Sequence, residues 1–268
     1  MPVPSAMPLV DIHCHLLPGL DDGAGDWEES LAMARLAAAD GVSTIVATPH
    51  QLGNYGQNHG EAIRARCREL QELLDRHGIE LAVLPGADVR IEPELVAKIR
   101  SGEVLTLADG RRHVLLELPH ELFLPVEGLL AEFQSAGLTG ILSHPERNLG
   151  ILQRPALVAS LVDSGCLMQI TAGSLLGAFG PQCKRLAETL LARGLVHFVA
   201  TDAHGWQSRR PLLSRGFDRV AELAGKRAAE ELCCTNPARV TAAEPVPAGR
   251  RHYRARGLAG WFRKRRAA

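Results

Sequence analysis

Short apolar runs rich in Val, Ile and Leu alternate along this chain with amphipathic stretches of helical period. The runs predict strands near 9–14, 43–48, 81–88, 113–118, 139–143, 167–171 and 197–202. Between them WEESLAMARLAAADG, EAIRARCRELQELLDRHG, VEGLLAEFQSAG, ALVASLVDSG and CKRLAETLLARG space their apolar residues three and four apart. Each of these stretches closes on Gly, the residue that commonly terminates helices. Two more helices are expected near 211–224 and 226–233, and Pro245 and Pro247 then mark a break. Repeated βαβ order implies parallel strands joined by right-handed crossovers.

Six of the strand-like runs end in a His or an acid: LVDIHCH (His13, His15), IVATPH (His50), AVLPGADV (Asp88), VLLELPH (Glu117), GILSHPER (His144) and FVATDAH (Asp202, His204). An open sheet gathers its ligands at one switch point. Here nearly every strand end offers one, which favours a ring with its site at the C-terminal face. The expected fold is therefore α/β, a distorted (βα)7 TIM-like barrel over 8–244. A flexible lead-in is expected at 1–7 and a basic aromatic tail at 245–268.

Residues two apart on a strand share a face, so His13 and His15 point together and Cys14 points into the core. Asp21-Asp22-Gly23 follows within seven residues and adds Asp22 as a fourth carboxylate. A carboxylate such as Glu117, flanked by leucines, is costly to bury without a metal or an Arg partner. Five histidines and four carboxylates exceed what one ion can use, so two or three divalent ions are expected. A donor set without Cys favours Mn²⁺, Zn²⁺ or Fe over a thiolate zinc site. Arg147 in HPER and Arg209 in AHGWQSR fall on loops at the same end, where a guanidinium can grip phosphate through two hydrogen bonds.

Composition narrows the class. Hydrophobic residues make up 46% of 268, and no apolar run reaches membrane-spanning length. The opening MPVPSAMPLV lacks the pattern of a secretory signal, and six cysteines without framework spacing are expected as reduced thiols. The expected location is the cytoplasm. Of 30 basic residues, eight lie in 250–266, which leaves 22 against 30 acids elsewhere. With Trp261 and Phe262, that tail is expected to contact an anionic membrane surface, placing the protein peripherally at the inner face. The body has no basic stripe, so nucleic acid is not the expected partner.

Cys233 and Arg239 satisfy the C-x5-R spacing of thiolate phosphatases. However, CCTNPAR contains a Pro, no Gly and a helical context, so it reads as the start of a terminal helix. GNYGQNHG, beside His50, reads as a mobile flap that touches a peptide substrate through Tyr55 or as just a long loop, and His120 as a proton donor or a cap of the strand end.

DIHCHLLPGLDDG, TPH, ELPH, SHPER and TDAHGWQSR together resemble the PHP (polymerase and histidinol phosphatase) superfamily over about residues 8–240. Within it they are most similar to the manganese-dependent tyrosine-protein phosphatases of bacterial capsule and exopolysaccharide clusters. The resemblance implies the PHP fold, manganese ahead of iron or zinc, and the ligands His13, His15, Asp22, His50, Asp88, Glu117, His144, Asp202 and His204. It also implies Arg147 and Arg209 as catalytic phosphate-binding groups, a membrane tyrosine autokinase as substrate, and a homo-oligomer. At Asp88 the family pattern has Glu. The alternatives are a histidinol-phosphate or other small-molecule phosphatase, a nucleic-acid phosphodiesterase and a non-catalytic binding protein.

Overall fold

The computed structural model describes residues 7–251 and 253. Residues 1–6 of the expected lead-in, and 252 and 254–268 of the expected tail, lie outside the described residues.

The expected strands appear, that over 81–88 broken in two and that over 43–48 followed past Pro49 by a further short strand: β1 Leu9–Cys14, β2 Val42–Ala47, β3 His50–Gln51, β4 Ala82–Pro85, β5 Asp88–Arg90, β6 His113–Glu117, β7 Thr139–Ser143, β8 Leu167–Thr171 and β9 Phe198–Ala200. All pairings are parallel. They form two sheets, of order β1-β2-β4 and β3-β5-β6-β7-β8-β9, rather than the one continuous ring the spacing implied.

The breaks have local causes. Pro49 and Pro85 have no N–H to donate to a ladder. A Cβ on Gly86 would lie 2.6 Å from Val46 Cγ1, so the strands approach closely there. Each chain steps from the first sheet to the second at its break and brings His50 and Asp88 into register as partners. On the far side, the chain just past β9 bonds to the end of β1: Asp202 N–H donates to His13 O at 2.8 Å, and His15 N–H to Ala203 O at 2.8 Å.

The five helical patterns form helices at Trp27–Ala39, Gly60–Arg76, Glu127–Ser135, Ala156–Asp163 and Gly180–Ala192. Gly41 and Gly78, expected to close the first two, take φ of 92° and 61°. Leu213–Ala224 and Lys226–Glu230 follow. A π-helical turn at Glu231–Thr235 then leads into Asn236–Thr241.

The apolar interior has two parts. The larger lies between sheets and helices. The smaller takes Val10, Ile12, Val46, Leu115, Ile141, Leu167 and Phe198 from six strands, with Leu107, Val240 and Val246 closing it. Between Asp11 and Cys14, β1 takes three steps to the two of β2, a bulge that lets Ile12 join the inner cluster while Cys14 joins the outer one.

Residues 245–251, expected to open the tail, lie on the body. Val246 is buried in the inner cluster, Arg251 N–H donates to Gly194 O at 2.7 Å, and the Arg250 and Arg251 side chains pair with Asp163 and Glu231. The apolar Val246 draws this stretch back past Pro245. No described helix is long and apolar enough to cross a membrane.

Candidate metal centre

The strand ends deliver their polar residues to one place. His13 and His15 face the same side, their Nε2 atoms 3.3 Å apart, and Cys14 is buried in the outer core, as expected, although a bulge interrupts the strand here. His13 Nε2 lies 3.3 Å from Asp202 Oδ1 and 3.6 Å from Asp88 Oδ2. His50 Nδ1 lies 3.4 Å from Asp88 Oδ2 and 3.6 Å from Glu117 Oε2. Asp22 Oδ1 closes the open side, 3.5 Å from His50 Nε2 and 3.4 Å from His204 Nε2.

Donor atoms within 4.8 Å of one another form three groups among the described residues: His15, Asp22, His50 and His204; His13, His15 and Asp88; His50, Asp88 and Glu117. Sharing of His15, His50 and Asp88 makes the three contiguous. Two expected ligands fall outside these groups. His144 stands at the wall, its Nε2 4.0 Å from Glu117 Oε1. Asp202 turns Oδ1 toward His13 and His15 and gives Oδ2 to Arg147 and, at 2.6 Å, Arg209. Both arginines thus reach the site through Asp202 rather than standing free at the rim.

Neighbouring groups set the imidazole tautomers. His15 Nδ1 bonds Asp21 Oδ2 at 2.7 Å, His13 Nδ1 bonds Gln169 Oε1 at 2.9 Å, and His204 Nδ1 donates to Asp202 O at 3.0 Å. With Nδ1 as the donor in each contact, Nε2 points into the cluster and is the atom a bound metal would take, the arrangement in which histidine ligates metal. Asp21 also accepts from the His50 and Gly23 N–H groups. A Cβ at Gly23 would fall 2.3 Å from His15 O, so this loop can lie on the strand end only with glycine there.

Burial makes the cluster an electrostatic problem. Asp88 is fully buried, and neither of its oxygens has a hydrogen-bond partner. Burial, together with the Asp88 charge, pushes the Glu117 carboxyl up to about 7. Burial, reinforced by the Arg147 guanidinium, pushes His144 down to about 3, which keeps its lone pair free. Burial opposes charge on His15 too, but the Asp21 and Asp202 carboxylates outweigh it and carry the imidazole to about 10. Without a cation, the ionised aspartates are balanced by a proton on His15 and Glu117 leans toward its neutral form; imidazoles and carboxylates crowded this way are a donor set suited to hard or borderline divalent cations.

The chain matches, over residues 9–242, the family model described as capsular polysaccharide synthesis, CpsB/CapC. The chain belongs to the CpsB/CapC family. It is 40% identical over 203 residues to the tyrosine-protein phosphatase YwqE of Bacillus subtilis, covering 75% of this chain and 79% of that one. The tyrosine-protein phosphatase CpsB of Streptococcus pneumoniae is 29% identical over 237 residues, 87% of this chain and 98% of its own. A solved structure from the YwqE and CpsB pair, described as unique metal-dependent tyrosine phosphatases, superposes with a TM-score of 0.87. Its identity is 34%, over 92% of this chain and all of that one. The Listeria monocytogenes lactonase Lmo2620 shares the fold alone, with a TM-score of 0.56 and 13% identity over 89% of this chain and 96% of its own.

Several residues that shape this CpsB/CapC site were not among the sequence candidates. Gln169 and Asp21 orient ligands. Glu146, fully buried, accepts from Thr171 N–H at 2.8 Å and Oγ1 at 2.7 Å, which ties the Pro145–Arg147 turn to β8. Asp11 accepts from the Thr201 and His13 N–H groups and pins the two strand ends that carry His13 and Asp202. The Phe179 ring lies 4.2 Å from the Arg147 guanidinium and 5.8 Å from that of Arg209. Tyr55, in the GNYGQNHG loop, stacks on His50 with centroids 5.3 Å apart. His144, Asp202 and Arg209 hold positive φ of 31°, 51° and 46°, a strain of about 1–3 kcal/mol each. Cys233 is fully buried in the π-helical turn, and burial holds its thiol well above the usual range, so it is no thiolate nucleophile.

Proposed function

We propose that this chain is a PHP-type, metal-dependent protein-tyrosine phosphatase that hydrolyses phosphotyrosine by direct attack of water. Asp88 carries the reading: a buried carboxylate without hydrogen bonds, set among imidazoles, is costly unless cations satisfy it. His13, His15, Asp22, His50, Asp88, Glu117, His144, Asp202 and His204 would hold two or three divalent ions, manganese ahead of iron or zinc. The three contiguous donor groups support that number. Bound ions supply Lewis acidity and lower the pKa of water toward ~7, which makes a nucleophile at neutral pH.

The chain's own groups do the rest. A cavity of about 210 Å³ is bordered by Asp22, His50, Glu117, His120, Arg147 and Arg209 among others. Arg147 and Arg209, swung from Asp202 onto the phosphoryl oxygens, would bind the dianion and offset charge that builds on them during transfer. Phenolate, with a pKa of ~10, leaves without full protonation. An alkyl ester would need a proton, and His120 borders the cavity that would supply it.

The nine strands are read as a distorted (βα)7 TIM-like barrel, the body expected over 8–244. The inner apolar cluster and the hydrogen bonds from the end of β9 to β1 support it. The substrate proposed is a membrane tyrosine autokinase of polysaccharide export, met at the cytoplasmic face. Homo-oligomerisation and a surface tether through 250–266 belong to the same proposal. The test compares turnover of a phosphotyrosine peptide, histidinol phosphate and a single-stranded oligonucleotide, with Mn²⁺ and with chelator. Metal-dependent hydrolysis of the peptide at the highest kcat/KM is expected, and preference for either other substrate defeats the reading. A folded His15→Ala variant of unchanged rate defeats the site.

A further inference from the structure

Beside the metal cluster a larger cavity of about 590 Å³ opens, with Asp202 and Arg209 as the wall it shares with the phosphate-sized one. Its floor is apolar, built from Leu176, Ala178, Phe179 and Leu212. Its remaining charges are Arg210 and Arg215. Asp202 is the one carboxylate that borders it, and that group is buried and already held by Arg147 and Arg209. Arg210 and Arg215 are exposed, and neither side chain has an ion-pair or hydrogen-bond partner among the described residues. A second cavity of about 540 Å³ continues past Arg210 to Arg35 and to Trp206, which is 42% exposed. Arg35 is likewise exposed and without a partner among the described residues.

These cations stand out because residues outside 250–266 carry 30 acids against 22 bases. An apolar trough that leads from a phosphate-sized pocket, edged by arginines with no internal partners, has the complement of an extended acidic peptide. We propose that this trough binds the segment flanking the phosphotyrosine and selects substrates with Asp or Glu beside it. The phosphoryl group sits at the metal cluster, neighbouring side chains lie over Phe179 and Leu212, and flanking carboxylates meet Arg210, Arg215 and Arg35. The proposal rests on the phosphatase reading and adds its substrate class.

The experiment measures kcat/KM of the manganese-loaded full chain on two phosphotyrosine peptides of equal length, one with Asp and Glu flanks and one with Ser and Gln. para-Nitrophenyl phosphate, too small to extend along the trough, is read in parallel. Two or three exposed charge pairs predict a preference of about tenfold for the acidic peptide at low salt, shrinking as salt screens it. In an R210E/R215E variant the preference falls to about one or inverts, carried by KM. Equal kcat/KM for the two peptides overturns the trough while leaving the phosphatase reading standing. Failure to turn over any of the three substrates overturns the phosphatase reading itself. A variant that changes oligomeric state rather than peptide KM overturns the proposal and assigns the trough to contacts between copies.

Discussion

His13 presents Nδ1 to the amide oxygen of Gln169 at 2.9 Å, and that contact leaves Nε2 as the free lone pair, facing Asp202 and Asp88. Gln169 is fully buried, so its amide has no water to exchange with and holds the ring in one orientation. Gln169→Leu keeps the volume and removes the acceptor. Manganese affinity, measured by titrating activity or by calorimetry, is expected to fall about 10- to 100-fold with the fold intact. Unchanged affinity would deny Gln169 this positioning role.

Asp88 supplies a second test because its charge has no partner other than imidazoles. Cations that bind the folded state raise its stability by about 2.7 kcal/mol at 100 times Kd, or roughly 5–10 °C for a body of this size. Manganese is therefore expected to raise the melting temperature of the native chain by several degrees. Asp88→Asn removes one donor common to two of the three groups and should abolish most of that shift. The metal-free forms of both chains serve as the references, because the neighbouring imidazoles hold the Asp88 carboxylate ionised without metal and its loss has its own effect on stability. Scanning calorimetry with and without chelator distinguishes the four states.

Much of this site was legible in the sequence because the signals are periodic. Period two places His13 and His15 together, and acids and histidines that close apolar runs do meet. The CpsB/CapC membership bears out the resemblance drawn from DIHCHLLPGLDDG and its companions. What the sequence did not convey depends on contacts distant along the chain. Gln169 in LMQIT is a polar residue inside a buried strand, a visible anomaly whose partner lies 156 positions away. Phe179 leaves no signal, because only its place before the Gly180–Ala192 helix, beside the Arg147 and Arg209 guanidinium groups, gives it a role. The strand breaks at Thr48-Pro49 and Pro85-Gly86 were missed, and the expected strand 81–88 ran unbroken through Pro85. The close approach of Gly86 to Val46 beside one of them joins positions 40 residues apart and leaves no local signal.

Protonation of His197 links stability to pH away from the metal donors. Its Nδ1 accepts from Met168 N–H and its Nε2 donates to Gly249 O, both at 3.0 Å, so a second proton on Nδ1 would confront an N–H. Burial, with Arg251 adding to it and the Gly249 bond opposing, lowers this imidazole to about 4. An unfolded histidine titrates near 6.5, so between about pH 6.5 and 4 the unfolded chain binds the extra proton. The stabilisation is complete above 6.5 and is lost as pH falls through that window, at up to about 1.4 kcal/mol per pH unit. His113, lowered to about 4 by burial and Arg112, acts in the same direction. Urea midpoints measured with chelator from pH 7.5 to 4.5 should fall less steeply in His197→Asn than in the native chain. Parallel profiles would exclude the linkage.

Arg209 tests whether the guanidinium fork, rather than charge alone, serves the site. Its Nη2 reaches both Asp202 Oδ2 at 2.6 Å and Asp202 O at 3.1 Å, and its backbone sits at positive φ to do so. Lysine keeps the charge but offers a point donor that cannot hold Asp202 and a phosphoryl oxygen with one planar group. Arg209→Lys is therefore expected to lower kcat/KM for a phosphotyrosine peptide by about 10- to 100-fold, the loss of one charge-assisted contact of about 1.5–3 kcal/mol. Manganese affinity should change less, because Asp202 turns its other oxygen toward the histidines. If Arg209→Lys retained full kcat/KM, two-point recognition of phosphate by this residue would be wrong. A loss of metal affinity equal to the loss in kcat/KM would instead make Arg209 a support for Asp202.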